Sequence, residues 1–182
     1  MNICQTVYGL VRKEKPLDDV TTAFDDASRL TGINVRPKNT IVSNYLPKGV
    51  IAAVGKAYNG AETLVVNAKE FYSLPYKEKI AVMTHEALHL YDMAGGKLSN
   101  VLKHAGEKLN SCQENILDYK THGVDDEGVV NYIASVLNKD SKVLRNAYKT
   151  LTDYTETVLD TAGNMCDQVT NMYRPKKCNG CY

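Results

Sequence analysis

The chain has 182 residues, 43% of them hydrophobic and 24% charged, which are ordinary proportions for a folded domain. Its 22 basic and 21 acidic residues leave a formal net charge of +1, so bulk electrostatics predict neither a nucleic-acid partner nor a membrane partner. No apolar run is long enough to span a bilayer, and the N-terminal segment MNICQTVYGLVRKEKP lacks the apolar region of a signal peptide.

The five cysteines are an odd number, whereas a disulfide framework usually uses an even one. This favours a reducing compartment, such as the cytoplasm. Cys112 falls on the apolar side of a predicted helix and is expected in the core. Cys178 and Cys181 form a C-x-x-C pair, which is half of a structural zinc site. Two free thiols on the tail are the other interpretation of that pair.

The predicted elements begin with a helix in KPLDDVTTAFDDASRLTGINVRP, where apolar residues recur at helical spacing and Gly32 marks the end. Three strands follow. The first lies in NTIVSNYL, and the other two cover residues 50–58 and 62–67. Asn59-Gly60 between them predicts a two-residue hairpin.

A helix with clear ends is predicted in SLPYKEKIAVMTHEALHLYDMAGG. Ser73 can cap it, Pro75 suits its first turn and Gly95 can stop it. One long helix is then predicted in LSNVLKHAGEKLNSCQENILDYKTHG and a shorter one in DDEGVVNYIASVLNK.

Apolar residues alternate three and four apart from residue 141 to residue 173, which predicts a long C-terminal helix. This helix either packs back on the domain or docks on a protein partner. The predicted fold class is α+β, with an N-terminal helix, a three-stranded sheet containing a hairpin, and the helices described above. Residues 1–140 form the predicted domain, and residues 141–182 form the C-terminal helix and a cysteine-containing tail.

The segment VMTHEALHLYD, residues 82–92, carries the clearest chemical signal. His85 and His89 lie four apart, so on a helix they share one face and can direct neutral imidazole nitrogens at one metal ion. Glu86 is rotated by about 100° from His85, so it is unsuited as a ligand but able to bond a water on the metal. Zn²⁺ lowers the pKa of its bound water toward about 7, and a nearby carboxylate can accept the proton. The alternative is one packed and one solvated histidine.

A catalytic zinc site takes a third protein ligand, and three carboxylates are candidates. Glu114 is favoured, because the glycines after His89 let a second helix run back past the first, and Asp118 one turn later could orient a ligating histidine. Glu107 lies on a similar face but has no carboxylate one turn later. Asp92 lies on the motif helix itself, and two turns of one helix rarely supply three ligands.

HEALH followed by QENILD resembles the gluzincin branch of the zincin metallopeptidases, over roughly residues 50–120. That branch combines HExxH on one helix with an NExxxD-like segment on the next, and Gln113 stands where the family often has Asn. The resemblance implies one Zn²⁺ per chain and peptide substrates that pair with an edge strand of the sheet. The residues that match the family's site are His85 and His89 as ligands, Glu114 as third ligand, Glu86 as general base, and Asp118 as the group that orients a histidine.

Hydrolysis also needs a group that stabilises the oxygen anion formed at the reacting carbonyl. His122 and Tyr119 are the candidates, although both are also ordinary surface residues. The leading prediction is a zinc-dependent metallopeptidase that acts on a peptide or protein substrate. The alternative is a zincin-like domain that serves as a structural or binding component of a larger assembly, with residues 141–173 as its contact. Glu86 favours the enzyme, because a structural metal site needs no base beside its ligands.

Overall fold

The computed structural model describes residues 15–173, so Cys178 and Cys181 lie outside the described residues. Within this range eight helices accompany a three-stranded sheet, which confirms the predicted α+β class. The strands are β1 (Asn39–Ser43), β2 (Ala52–Lys56) and β3 (Glu62–Asn67). The helices are α1 (Lys15–Thr31), α2 (Ala68–Ser73), α3 (Tyr76–Met93), α4 (Leu98–His104), α5 (Ser111–Tyr119), α6 (Asp126–Leu137), α7 (Lys142–Asn146) and α8 (Lys149–Tyr173).

The sheet has the order β1-β3-β2, with β1 parallel and β2 antiparallel to the central strand β3. The predicted hairpin joins β2 to β3, and Gly60 adopts a φ of 78° in its turn. The backbone N–H of Ala57 donates to Ala61 and that of Asn67 donates to Ile51. Because hydrogen-bonding direction alternates along a strand, Ala52 and Val54 of β2 direct their backbone groups away from β3. Among residues 15–173 no other strand pairs with this side of β2, which is its free edge.

Helix α3 lies between two hydrophobic cores. On one side it packs against α1 and the sheet, through residues that include Met83 of α3 and Phe24 of α1. On the other side Leu88 of α3 packs into a core formed with the helices from α4 to α8. Burial on both sides explains why the motif helix is apolar around most of its surface, and it fixes the helix in the middle of the molecule.

Two of the predicted helices are interrupted. The segment predicted as one helix up to Gly123 forms α4 and α5, because Asn110 and Gln113 cap α5 reciprocally, each side chain bonded to the other's backbone N–H at 3.0 Å. The segment predicted as one helix from residue 141 forms α7 and α8. The break falls at Tyr148, whose φ of 46° ends α7.

A disulfide between Cys112 and Cys166 joins α5 to α8. Cys112 was expected in the core, and the structure places it partly buried, with its sulfur bonded to that of Cys166. The reducing compartment predicted from the odd number of cysteines stays a prediction. None of the helices in residues 15–173 combines the length and the apolar composition that a membrane span needs.

Candidate metal centre

His85 and His89 lie side by side on the central helix α3. Their Nε2 atoms are 3.1 Å apart, as the four-residue spacing predicts. Both side chains are largely buried, with 11% and 15% of their surface exposed. Two imidazole nitrogens held this close in a buried place need a proton or a metal ion between them.

The third member of the group is Glu127, in the first turn of α6. Its Oε2 lies 3.2 Å from the Nε2 atom of His85 and 3.2 Å from that of His89. The three atoms thus form a nearly equilateral triangle. A tetrahedral zinc ion with bond lengths of about 2.0–2.1 Å requires ligand atoms about 3.3 Å apart, so the triangle has the size of one face of such a site. His85, His89 and Glu127 can therefore hold a metal ion.

Local structure brings Glu127 to this point. The Asp125 side chain caps α6 by accepting the N–H of Glu127 at 2.9 Å. The next residue is Gly128, where an added Cβ would lie 2.8 Å from the carbonyl oxygen of Leu151 in α8. The close approach of α6 to α8 thus requires glycine at this position. This packing holds the first turn of α6 over α3.

The electrostatics of the group favour a cation at its centre. Burial by itself lowers the pKa of His89, but hydrogen bonds to Asp126 and Glu127 outweigh it and raise that pKa to about 10. The pKa of Glu127 is lowered by its hydrogen bonds to His85 and His89. A divalent ion would receive the same stabilisation as the proton and would compete with it.

The outer nitrogen of His89 faces a second carboxylate. Its Nδ1 lies 3.5 Å from Oδ2 of Asp126, and the other oxygen of that carboxylate, Oδ1, lies 3.3 Å from the ammonium group of Lys120. A carboxylate on the outer nitrogen fixes the tautomer that leaves Nε2 free to bind a metal. Among the described residues the buried Nδ1 of His85 has no hydrogen-bond partner. A metal bound through Nε2 of His85 would leave the imidazole proton on this Nδ1.

Glu86 lies beside the group but outside the triangle, as its rotation from His85 predicts. It is only 5% exposed. Burial raises the pKa of its carboxyl, and the neighbouring histidines oppose that rise. The backbone N–H of Val54, on the free edge of β2, also opposes that rise. Glu86 is therefore a buried carboxylate held between the metal-binding group and a strand edge.

A cavity of about 650 Å³ opens onto the three residues of the group. The free edge of β2 forms one wall, and α7 with Tyr148 forms another. The ring of Tyr148 lies nearly parallel to that of His85, with 6.2 Å between the centroids and 10° between the planes. Burial, followed by the charges of Glu127 and Glu86, raises the pKa of the Tyr148 hydroxyl, which keeps it a neutral donor.

The other carboxylates considered for the site lie outside the triangle. Glu114 pairs with Lys103 at 2.8 Å, and Glu107 is exposed. Asp118 accepts the backbone N–H and the hydroxyl of Ser99 at 2.8 and 2.9 Å, so it caps α4. Asp92 lines the cavity, but its carboxylate binds the ammonium group of Lys120 at 2.6 Å. The structure thus corrects the placement of Glu114 and Asp118, because α5 directs them toward α4 instead of toward the histidines.

The two residues considered as stabilisers of the oxyanion also lie away from the cavity. His122 is exposed in the turn after α5, where its φ is 62° and its Nδ1 contacts the Thr121 hydroxyl at 3.0 Å. Tyr119 is 66% exposed. The structure instead brings Tyr148 to the site.

The sequence did not predict Glu127 as a ligand, because an acidic residue at this position is already explained by the start of a helix. Asp125, Asp126 and Glu127 precede an apolar run, and acidic residues are common in the first turn of any helix. Comparisons of the chain with protein families, with curated proteins and with solved structures found no match. The interpretation of the site therefore depends on its geometry.

Proposed function

We propose that the protein is a zinc-dependent metallopeptidase. The observation that carries the proposal is the triangle of two imidazole nitrogens and one carboxylate oxygen, with the buried Glu86 beside it. Two histidines and a glutamate are a ligand set of catalytic zinc sites, which leave a fourth position open. A Zn²⁺ ion held by these three residues would polarise a carbonyl group and acidify a water at the open position.

The free edge of β2 supports a polypeptide substrate. Ala52 and Val54 direct their backbone groups away from β3, and both line the cavity. An extended peptide can pair with such an edge through main-chain hydrogen bonds. Its scissile bond would then pass beside Glu86, which lines the same cavity as Val54.

Glu86 is the proposed general base. Its burial raises the pKa of the carboxyl, which favours uptake of a proton from the attacking water. The carboxylic acid formed in this way then gives the proton to the amine that leaves. Tyr148 is the proposed donor to the oxygen anion, because it is the hydroxyl-bearing side chain among the described residues that line the cavity.

The test combines metal analysis with cleavage of a generic unfolded protein. We expect about one zinc per chain, in keeping with the one group of three ligands found among residues 15–173. Glu86→Gln should keep the metal and lose hydrolysis by about a hundredfold or more, the usual scale for a positioned acid–base group. His85→Ala should lose both the bound zinc and the hydrolysis. Equal cleavage by wild type and Glu86→Gln would refute the mechanism. Metal without any cleavage would favour the structural or binding role.

A further inference from the structure

Asn131 of α6 is completely buried, and its side-chain amide binds the connection between α7 and α8. The Nδ2 atom lies 2.8 Å from the carbonyl oxygen of Ala147 and 2.8 Å from the hydroxyl oxygen of Thr152. A third acceptor, the carbonyl oxygen of Leu144, lies 3.1 Å away. One buried amide therefore serves both the end of α7 and the start of α8.

These hydrogen bonds hold the backbone on both sides of Tyr148. One of the two carbonyls that accept from Asn131 belongs to Ala147, the residue before Tyr148. The Thr152 hydroxyl that accepts from Asn131 donates its own proton to the carbonyl of Tyr148 at 3.1 Å. Asn131 thus holds the peptide groups on both sides of Tyr148, one directly and one through Thr152.

Tyr148 needs such support because its backbone lies in the left-handed region. A φ of 46° is unfavourable for a residue with a bulky side chain and persists where the surroundings determine it. The side chain is 50% exposed, so burial of the ring alone does not hold it. The restraint comes from the backbone, through α6.

We propose that Asn131 is a positioning residue that fixes the turn at Tyr148 and so holds the tyrosine side chain at the wall of the cavity, parallel to the ring of His85. The inference rests on the proposed function, since it gives Tyr148 a fixed place at the metal centre. Asn131 also links the two halves of the site. It lies on α6, the helix that carries Glu127, and it holds the turn that carries Tyr148.

A fluorescence experiment tests the position of residue 148 without any need for catalysis. The chain has no tryptophan, so Tyr148→Trp introduces a single indole into the full-length protein, and that indole can be excited selectively over the tyrosines. Co²⁺ is the probe, because bound at His85, His89 and Glu127 it quenches a nearby indole. We expect strong quenching in Tyr148→Trp and at least a twofold smaller effect when Asn131→Leu is added.

Asn138→Leu is the matched control. Asn138 is also a buried asparagine, at the C-terminal end of α6, but its amide donates to Ala134 within the same helix. Asn138→Leu should leave the quenching of Tyr148→Trp unchanged. Equal quenching in all three proteins would overturn the proposal. If Asn131→Leu does not fold, Thr152→Val replaces it, because it removes only the hydroxyl that links Asn131 to Tyr148.

Kinetics in the native Tyr148 background give a second readout. Tyr148→Phe should lower kcat by about tenfold or more while zinc content stays unchanged. Asn131→Leu should lower kcat in the same way, and the double variant should show little further loss, because both changes remove one interaction. If the loss of kcat in the double variant equals the product of the losses in the two single variants, the two residues act independently, and the positioning role is contradicted. If the wild type hydrolyses nothing, the proposed function fails, and the fluorescence result still decides whether Asn131 positions residue 148.

Discussion

Glu114 and Glu127 occupy similar places, each in the first turn of its own helix. Their surroundings differ, because Glu114 pairs with Lys103 whereas Glu127 faces two imidazole nitrogens. Local sequence cannot distinguish them. The difference arises from which helix docks on α3, and that is a property of tertiary packing.

Glu127→Gln should therefore lower zinc affinity strongly and reduce the zinc content of the purified protein toward zero. The amide keeps the shape of the side chain but supplies a neutral oxygen in place of an anionic ligand. Glu114→Gln is the matched control and should retain about one zinc per chain. Elemental analysis measures both. Retention of zinc by Glu127→Gln together with its loss in Glu114→Gln would restore the ligand set that the sequence predicted.

Asp126 and Asp118 allow a second comparison. Asp126→Asn should weaken zinc binding by about 10- to 100-fold, the usual effect of removing the carboxylate that orients a ligating histidine. Asp118→Asn should leave the affinity unchanged and lower stability, because Asp118 caps α4 at Ser99. Competition with a chromophoric chelator measures the affinities. An effect of Asp118→Asn on zinc binding would show that α5 contributes to the site.

At the scale of elements, periodicity in the sequence predicted which segments are helical but not where they break. The pattern of apolar residues continues from α7 into α8 because both helices pack on the same core, through Leu144 and Leu159. The interruption at Tyr148 depends on hydrogen bonds from α6, which no local pattern contains. The pair His85 and His89 could be predicted because both lie within one helix.

Helix α7 depends on a carboxylate from α3. Burial of Glu78 would raise its pKa, but hydrogen bonds from the Ser141 hydroxyl and from the N–H groups of Lys142 and Val143 outweigh it and lower that pKa. A lowered pKa in the folded state means that the stabilisation is present above the unfolded value and is lost as the pH falls through the folded value.

Glu78→Gln should consequently lower the free energy of unfolding by about 1–2 kcal/mol at pH 7, since the amide cannot accept these bonds as an anion. The difference from wild type should shrink once the pH falls well below 4.5, the ordinary value for glutamate. Urea denaturation at two pH values measures it. Asp140→Asn, which breaks the exposed pair with Lys77, should change stability little at either pH. A Glu78→Gln difference that grows on acidification would contradict the sign of the shift.

At the scale of the whole molecule, the disulfide between Cys112 and Cys166 closes a loop of 54 residues that contains α6 and α7. Closing a loop of this length restricts the unfolded chain. The ends of the bridge lie on α5 and α8, whereas the candidate ligands lie on α3 and α6. The bridge should therefore support the fold without touching the metal centre.

Replacing both cysteines by serine should lower the free energy of unfolding by about 2–4 kcal/mol. Zinc content should not change when the protein is measured under conditions where it is folded. Denaturation of the wild type with and without a reducing agent provides the control, and the reduced wild type should resemble the double variant. Identical midpoints for all of these samples would mean that the bridge does not stabilise the fold.

The spacing of the candidate ligands has a consequence for biosynthesis. His85 and His89 leave the ribosome almost together, but Glu127 follows His89 by 38 residues. A nascent chain that ends before α6 offers a zinc ion two protein ligands, where a catalytic site uses three. Metal captured at that stage would exchange readily with other ions and chelators in its surroundings. Tight binding of a metal ion, and selectivity for one metal over others, would then require the completed chain, after α6 has docked on α3.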